Sequence, residues 1–155
     1  MNNPLELTEI KYVVADLKLK ESITRNWNKV IGNHMHIEDG VSIVGMHGDE
    51  PISIISVYWK QWIEPLEQYY DGYIDIIEVK PEYRRQGIAK YLIEAAEKEC
   101  RVRNISQIRA WSSDNKTEAI NMWKKLGYGM CPARILSGYH QDELVNGYYV
   151  VKTLI

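Results

Sequence analysis

The sequence predicts an α/β (α+β) fold: a mixed, mostly antiparallel central sheet of about six to seven strands flanked by helices. Strand-like and helix-like patterns alternate from one end to the other. Two neighbouring β-branched runs are joined by a Gly and Pro turn, and two later segments repeat apolar residues at helical spacing. No internal repeat, low-complexity tract or linker interrupts the 155 residues, so we expect a single domain over residues 1–155.

The N-terminal half contains three predicted strands and one or two helices. Residues 8–15 favour a first strand, and residues 17–31 carry the apolar spacing of one or two amphipathic helices. The β-branched runs at 41–47 and 52–59 are separated by Gly, Asp, Glu and Pro, which is typical of a hairpin. Residues 59–72 are polar and aromatic, and we expect a loop there.

A strand, a turn and a long helix follow. Residues 73–79 (YIDIIEV) are strongly β-prone, and Pro81 ends the strand. The segment 87–103 is the clearest helix, because apolar residues recur every four positions at Ile88, Leu92, Ala96 and Cys100. Residues 105–111 favour another strand.

The C-terminal third contains a second well-marked helix. Asn115 and Glu118 resemble a capping box at its start, and Gly127 is placed to end it in a left-handed conformation. Residues 128–133 and 148–154 favour two closing strands.

Composition restricts the partners of this chain. Its 45% hydrophobic content suits a packed core, and its formal charge of −2 argues against a general nucleic-acid surface. The apolar runs fall short of the roughly 20 residues of a membrane helix, and the first twenty residues lack a signal-peptide core. We expect a cytoplasmic protein with no nucleic-acid or membrane partner, and a homodimer stays open.

Metal chemistry is not expected. Cys100 and Cys131 match no metal-binding or redox spacing, and we expect both to be reduced. His34 and His36 stand two residues apart with no third ligand nearby in the sequence, which favours surface or structural roles.

The turn after YIDIIEV has the features of a phosphate-binding site. The residues RRQGIA open directly into the helix, and a helix start points free backbone N–H groups at one spot. Gly87 and Ala89 are small where a diphosphate must approach the main chain. Positive charge is concentrated around them at Lys80, Arg84, Arg85 and Lys90. A solvated turn with a routine glycine is the alternative, and the position between strand and helix argues against it.

This segment resembles the acetyl-CoA-binding motif of the GNAT superfamily of N-acetyltransferases, which is Gln or Arg, two residues, Gly, one residue, and Gly or Ala. Arg84, Gly87 and Ala89 match it. The similarity continues from Trp111 to Tyr128, so about a third of the chain is covered. The resemblance implies the acyl-CoA N-acyltransferase (GNAT) fold and transfer of an acetyl group from acetyl-CoA, without a metal, to a primary amine of a small molecule or peptide. The alternative is a noncatalytic acyl-CoA-binding or sensing domain.

The resemblance also implies a cofactor site. The fourth strand would splay from the fifth, and the pantetheine arm would lie in the gap, bonded by the backbone of Ile77 and Val79. The Val79 N–H would face the thioester oxygen and stabilise the charge that develops there. The remaining residues implied to contact acetyl-CoA are Arg84, Arg85, Gln86, Gly87, Ile88, Ala89, Asn115 and Trp123. For Asn115 a plain helix cap is an equal alternative.

The general acid departs from the family's pattern. Many members place a tyrosine in the second helix to protonate the departing thiolate, and Trp123 stands there. An indole N–H does not release a proton at any useful pH. Tyr128, Tyr139 or water are the substitutes.

Two carboxylates are candidates for the base. Asp75 and Glu78 lie on strand 73–79, and their odd separation predicts opposite faces, so only one would face the cleft. We favour Asp75, acting through water. Ordinary pairing of both with Arg or Lys is the alternative. The acidic and aromatic segment 59–72 is a candidate rim for a cationic amine, a subunit interface, or a cover for the core.

Overall fold

The computed structural model describes residues 9–137 and 143–154, and seven strands of this part form one sheet. The strands are β1 (Ile10–Val14), β2 (Gly40–His47), β3 (Glu50–Gln61), β4 (Tyr70–Val79), β5 (Gln107–Ser113), β6 (Gly129–Ser137) and β7 (Glu143–Thr153). Their order in the sheet is β1-β2-β3-β4-β5-β7-β6. Only β4 and β5 pair in parallel, and all other neighbours are antiparallel. The predicted mixed, mostly antiparallel sheet is confirmed.

Four helices flank the sheet. They are α1 (Leu17–Asn26), α2 (Lys29–Asn33), α3 (Ile88–Val102) and α4 (Thr117–Lys125), with a short 3-10 helix at Pro81–Tyr83. The predicted segment 17–31 forms two helices because Asn28 begins a new one: its side chain accepts the N–H groups of Val30 and Ile31. None of the helices in the described part is long and apolar enough to cross a membrane.

The two faces of the sheet bury separate cores. On the α3 face, Ile55, Val57 and Ile74 pack with apolar residues of α3 and with Trp123 of α4. On the α1–α2 face, Ile54 and Val44 pack with Ile23, Ile31 and Met35.

The β3–β4 hairpin is longer than predicted. The expected loop at 59–72 shrinks to residues 62–69, because Trp59, Lys60 and Gln61 pair with Gly72, Asp71 and Tyr70. Lys60, Gln61 and Tyr70 are exposed, so their polar and aromatic side chains are compatible with strands at this end of the hairpin.

The predicted capping box at the start of α4 is wrong. The helix begins at Thr117, too late for Asn115 to cap it, and Lys116 stands at the cap with no side-chain bond. Asn115 Oδ1 instead accepts a hydrogen bond from Ser113 Oγ at 2.8 Å. The end of the helix agrees with the prediction, because Gly127 has a left-handed φ of +86°.

Candidate functional site

A gap opens between β4 and β5. Their pairing is limited to Gly72 with Ile108 and Tyr73 with Arg109, at the start of β4. Beyond Tyr73 the two strands share no ladder, so the edge of β4 from Ile74 to Val79 has no strand partner on that side. This is the splay that the sequence resemblance implied.

The register of β4 directs particular backbone groups into this gap. Lys80 N donates to Ile52 O at 2.9 Å, so this pair is hydrogen-bonded across β3 and β4. In an antiparallel ladder the groups of alternate residues point away from the partner strand. The N–H groups of Val79 and Ile77 therefore point away from β3, toward β5. The carbonyl of Val79 also points away from β3, and it accepts a hydrogen bond from Arg84 Nε at 2.9 Å.

The connection from β4 to α3 leaves backbone donors unused. Arg85 and Gly87 both have positive φ, 63° and 80°, and Gly87 directly precedes the first residue of α3. The first N–H bonded across the start of the helix belongs to Tyr91, which donates to Gly87 O. In the described part of the chain, no acceptor takes the four N–H groups of residues 86–89. Gln86 Oε1 is likewise buried without a partner there.

These unused groups fit an acyl-CoA. A diphosphate accepts hydrogen bonds from several N–H groups at a helix start, where the helix dipole also favours negative charge. A Cβ built at Gly87 would meet nothing within 4 Å, so the space in front of the loop is open.

The basic residues around this loop are paired with carboxylates. Arg84 Nη2 bonds Glu78 Oε1 at 3.0 Å, and Arg85 Nη2 bonds Glu118 Oε1 at 2.9 Å. The Arg85 and Glu118 side chains are 84% and 80% exposed, and such pairs contribute about 0–1 kcal/mol. A diphosphate can therefore compete for Arg85, whereas Arg84 is also tied to Val79 O.

A bulge in β4 changes the orientation of Asp75. Ser56 pairs with Ile76 and Val57 pairs with Ile74, so Asp75 is an extra residue without a partner on β3. Glu78 pairs with Ile54, which belongs to the α1–α2 face. Asp75 contacts residues that follow α2, so both carboxylates lie on that face. The predicted opposite orientation is wrong, because strict alternation fails across a bulge.

Asp75 is the centre of a histidine cluster that the sequence did not reveal. Its Oδ2 atom accepts from His36 Nε2 at 2.8 Å and from His34 Nδ1 at 3.2 Å. His36 Nδ1 also lies 3.0 Å from Asp39 Oδ2. The only signal was two histidines and an aspartate in the short segment between α2 and β2. In the described residues, no group of three or more His, Cys, Asp or Glu could hold a metal ion.

The cluster shifts two pKa values in opposite directions. Burial opposes ionisation of Asp75, but the hydrogen bonds from His36 and His34 outweigh it and hold the Asp75 pKa below its ordinary value. The hydrogen bond to Asp75 raises the pKa of His36, against a smaller opposing effect of burial. Asp75 is therefore an anion, and His36 favours the imidazolium form.

Tyr128, a candidate acid, and Trp123, which stands where the family has a tyrosine, are both buried. Tyr128 is buried, and its hydroxyl donates to Glu97 Oε1 at 3.0 Å within the α3-face core. Burial, reinforced by the Glu97 carboxylate, raises the pKa of Tyr128 well above its ordinary value. Trp123 is 3% exposed and stacks edge-on against Tyr128. Tyr139 lies outside the described residues. The geometry gives Tyr128 a structural partner rather than a substrate.

The aromatic segment before β4 is used partly for structure. Trp62 Nε1 donates to Asp71 Oδ1 at 2.8 Å, and Asp71 is buried against Arg109 at 2.9 Å. Arg103 lies over the Trp59 ring at 4.8 Å. The rim role stays a prediction for the residues of this segment that remain exposed, which are Glu64, Glu67, Tyr69 and Tyr70.

Comparisons with known proteins agree with this geometry. A family model described as the acetyltransferase (GNAT) family matches residues 6–128. No curated protein matches the sequence significantly. Among solved structures, Arabidopsis thaliana NAA60 with a bisubstrate analogue is 17% identical with a TM-score of 0.72, over 93% of this chain and 97% of that one.

Two further structures have comparable TM-scores. The ribosomal-protein-S18-alanine N-acetyltransferase of Escherichia coli is 12% identical with a TM-score of 0.72, over 94% of each chain. A chain of the NatC complex bound to Gag peptide and CoA is 20% identical with a TM-score of 0.70, over 95% of this chain and 99% of that one. At identities this low, the structural similarity shows a shared fold and nothing more.

Proposed function

The chain belongs to the acetyltransferase (GNAT) family, and from that premise we propose that it transfers an acetyl group from acetyl-CoA to a primary amine by direct attack. One observation supports this most strongly. The unused N–H groups of residues 86–89 lie at the head of α3, next to the unpaired edge of β4 that presents the N–H groups of Ile77 and Val79. A diphosphate and a thioester arm need this pair of features.

The backbone would carry most of the cofactor binding. The amides of Gln86, Gly87, Ile88 and Ala89 would hold the diphosphate, with Arg85 exchanging Glu118 for a phosphate oxygen. Ile77 and Val79 would bond the pantetheine arm. Asn115, which follows β5, and Trp123 of α4 would contact the same arm.

The Val79 N–H would stabilise the developing negative charge on the thioester oxygen. A fixed donor aimed at such an oxygen is commonly worth about 3 kcal/mol. The position suits this role because the peptide group that carries this N–H is held by the ladder: the Glu78 carbonyl at its other end points toward β3.

The amine would approach from the α1–α2 face, opposite α3. Asp75 stands four residues before Val79, about 13 Å along a strand, so its carboxylate would reach the reacting carbon through the amine and water. Its lowered pKa makes it a weak base that stays ionised and attracts a cationic amine.

A weak base favours an amine that loses its proton readily. At pH 7 deprotonation costs about 1 kcal/mol for an α-amine with a pKa near 8, and about 4.6 kcal/mol for a lysine-like amine. Within the primary amines, we therefore propose that the α-amino group of a peptide or small molecule is the preferred acceptor. Among the structural neighbours, one is named a ribosomal-protein-S18-alanine N-acetyltransferase and another is a complex bound to a Gag peptide and CoA, which is consistent with a protein or peptide acceptor.

The departing thiolate would leave without a tyrosine acid. A thiol with a pKa near 8.5 leaves as thiolate at pH 7 for about 2 kcal/mol, so water can complete the proton transfer. A cytoplasmic location and a homodimer remain part of the proposal, as does the single domain.

A noncatalytic acyl-CoA sensor is the second candidate, because Trp123 replaces the acid and Tyr128 is engaged by Glu97. One experiment separates the two. The protein is mixed with acetyl-CoA and peptides that carry either a free α-amine or a blocked α-amine with one lysine, and free thiol is followed. Thiol release with the free α-amine supports the enzyme, and tight acetyl-CoA binding with no release from any acceptor supports the sensor.

A further inference from the structure

We propose that His36 is a positioning residue for the part of the site that would receive the amine. Its ring is held between Asp39 and Asp75, and it fixes the orientation of the Asp75 carboxylate at the β4 bulge. The inference rests on the proposed function, because it assigns a role within the same site. It concerns a residue that would not touch the substrate itself.

The backbone of His36 is anchored to the sheet by two buried serines. His36 N donates to Ser56 Oγ at 2.8 Å, Ser42 Oγ lies 2.9 Å from Ser56 Oγ, and Ser42 Oγ donates to His36 O at 2.8 Å. Each hydroxyl has one proton, so the bonds form a closed ring that begins and ends on His36. Both serines are completely buried. An ordinary surface loop does not need such an anchor.

The segment also packs too closely for a side chain at Gly40. A Cβ there would clash with the carbonyl of Val57 and lie 2.8 Å from His36 Cβ. The position of His36 is therefore determined by β2, by β3 and by its own loop together.

Both ring nitrogens of His36 face carboxylates. Nε2 lies 2.8 Å from Asp75 Oδ2 on β4, and Nδ1 lies 3.0 Å from Asp39 Oδ2 on the same loop. The Tyr58 ring of β3 packs on the imidazole at 5.0 Å, and His34 approaches the same Asp75 oxygen. Ionised carboxylates only accept hydrogen bonds, so both nitrogens must donate, which requires an imidazolium.

Every polar atom of His36 is thus engaged, and its effect must pass through Asp75. The two histidines occupy Asp75 Oδ2, and within the described residues Oδ1 has no partner. Oδ1 is the atom left to receive the amine or its proton. Removing His36 would remove the charge that keeps Asp75 ionised and would release the rotation of its carboxylate.

The test uses His36→Gln and Asp39→Asn, with His47→Gln as the matched control. Gln can donate to Asp75 but carries no charge, whereas His47 bonds the Tyr83 hydroxyl at 2.9 Å, outside this cluster. We expect kcat/KM for the amine to fall about tenfold in His36→Gln, the lower end of the cost of losing an outer orienting partner at metal sites. Affinity for acetyl-CoA should not change, and His47→Gln should match the wild type.

The pH dependence gives a readout that a purely structural role would not move. The wild-type profile of kcat/KM should contain a limb with a midpoint above 6.5, where His36 loses its proton and one of its two bonds, and this limb should disappear in His36→Gln. A raised pKa stabilises the fold fully below the unfolded value near 6.5 and less as the pH rises through the folded value. The stability difference between wild type and His36→Gln should therefore shrink as the pH rises above about 6.5.

Wild-type pH profiles and amine KM values in both His36→Gln and Asp39→Asn would overturn the proposal. If His36→Gln does not fold, Asp39→Asn decides, because the Asp39 side chain is 59% exposed. Titration of the His36 ring by NMR tests the contacts with Asp39 and Asp75 without an activity assay. The pKa of His36 should fall in Asp75→Asn and in Asp39→Asn, and an unchanged pKa would refute the proposal. A wild type that transfers no acetyl group would instead refute the proposed function.

Discussion

Replacing Asp75 by Asn tests the acceptor side of the site. The amide oxygen of Asn can still accept a hydrogen bond from His36, so the bulge and the loop should keep their shape while the negative charge is lost. A unit charge about 5 Å from a cationic amine, the separation across one bridging water, contributes about 3 kcal/mol at the effective dielectric of a protein surface. Since Asp75 is partly exposed, we expect about half of that, about 1.5 kcal/mol or roughly tenfold in kcat/KM.

The matched control is Glu78→Gln. Glu78 lies on the same strand and the same face, and the change is the same loss of a carboxylate charge, but its partner is Arg84 at 3.0 Å. This pair is about half exposed, so its loss should change kcat/KM less than about threefold. The assay follows thiol release at saturating acetyl-CoA while the amine concentration is varied. A larger loss in Glu78→Gln than in Asp75→Asn, or an Asp75→Asn variant within threefold of wild type, would refute the assignment of Asp75.

Three further changes test the cofactor loop and the packing. Arg85→Glu should weaken acetyl-CoA binding about tenfold by calorimetry, because a charged hydrogen bond is replaced by repulsion; unchanged affinity would remove Arg85 from the site. Gly72→Ala would place a Cβ 2.6 Å from Cys100 Sγ, so urea unfolding should show a loss of about 1–3 kcal/mol, and a neutral result would mean that the strand shifts freely. Glu97→Ala would leave Lys152 without its carboxylate at 3.0 Å in a half-buried position, and we expect a loss of about 3 kcal/mol, whereas a loss below 1 kcal/mol would show that Lys152 reaches water.

The cofactor side could be predicted from the sequence because it depends on backbone geometry. A β-prone strand, a glycine that tolerates positive φ and a long amphipathic helix each have local signals, and the structure brings them together as expected. The family and the mixed sheet are confirmed for this reason. Strand and helix ends were less predictable. Lys60 has a weak strand propensity, and pairing with the start of β4 extends the strand through it and Gln61.

The acceptor side could not be predicted because it depends on long-range contacts. The bulge at Asp75 has no glycine or proline to mark it, and it became visible only when the register with β3 changed between Ser56 and Val57. His36 and Asp75 are 39 residues apart, and the loop that joins them spatially is anchored by serines from two other strands. Each of these side chains taken alone matched an ordinary surface or strand residue.

The same bulge gives the two carboxylates different partners although they share a face. If β4 alternated regularly without the bulge, Asp75 and Glu78 would project to opposite faces, and Asp75 would enter the apolar layer that packs on α3. With it, Asp75 turns to the polar segment that follows α2, where two imidazoles can compensate its charge. Glu78 stays near the end of the strand and meets Arg84, whose second bond fixes the Val79 carbonyl. One inserted residue thus lets a single strand present a charged acceptor group on one face while its edge keeps the N–H groups of Ile77 and Val79 directed into the gap.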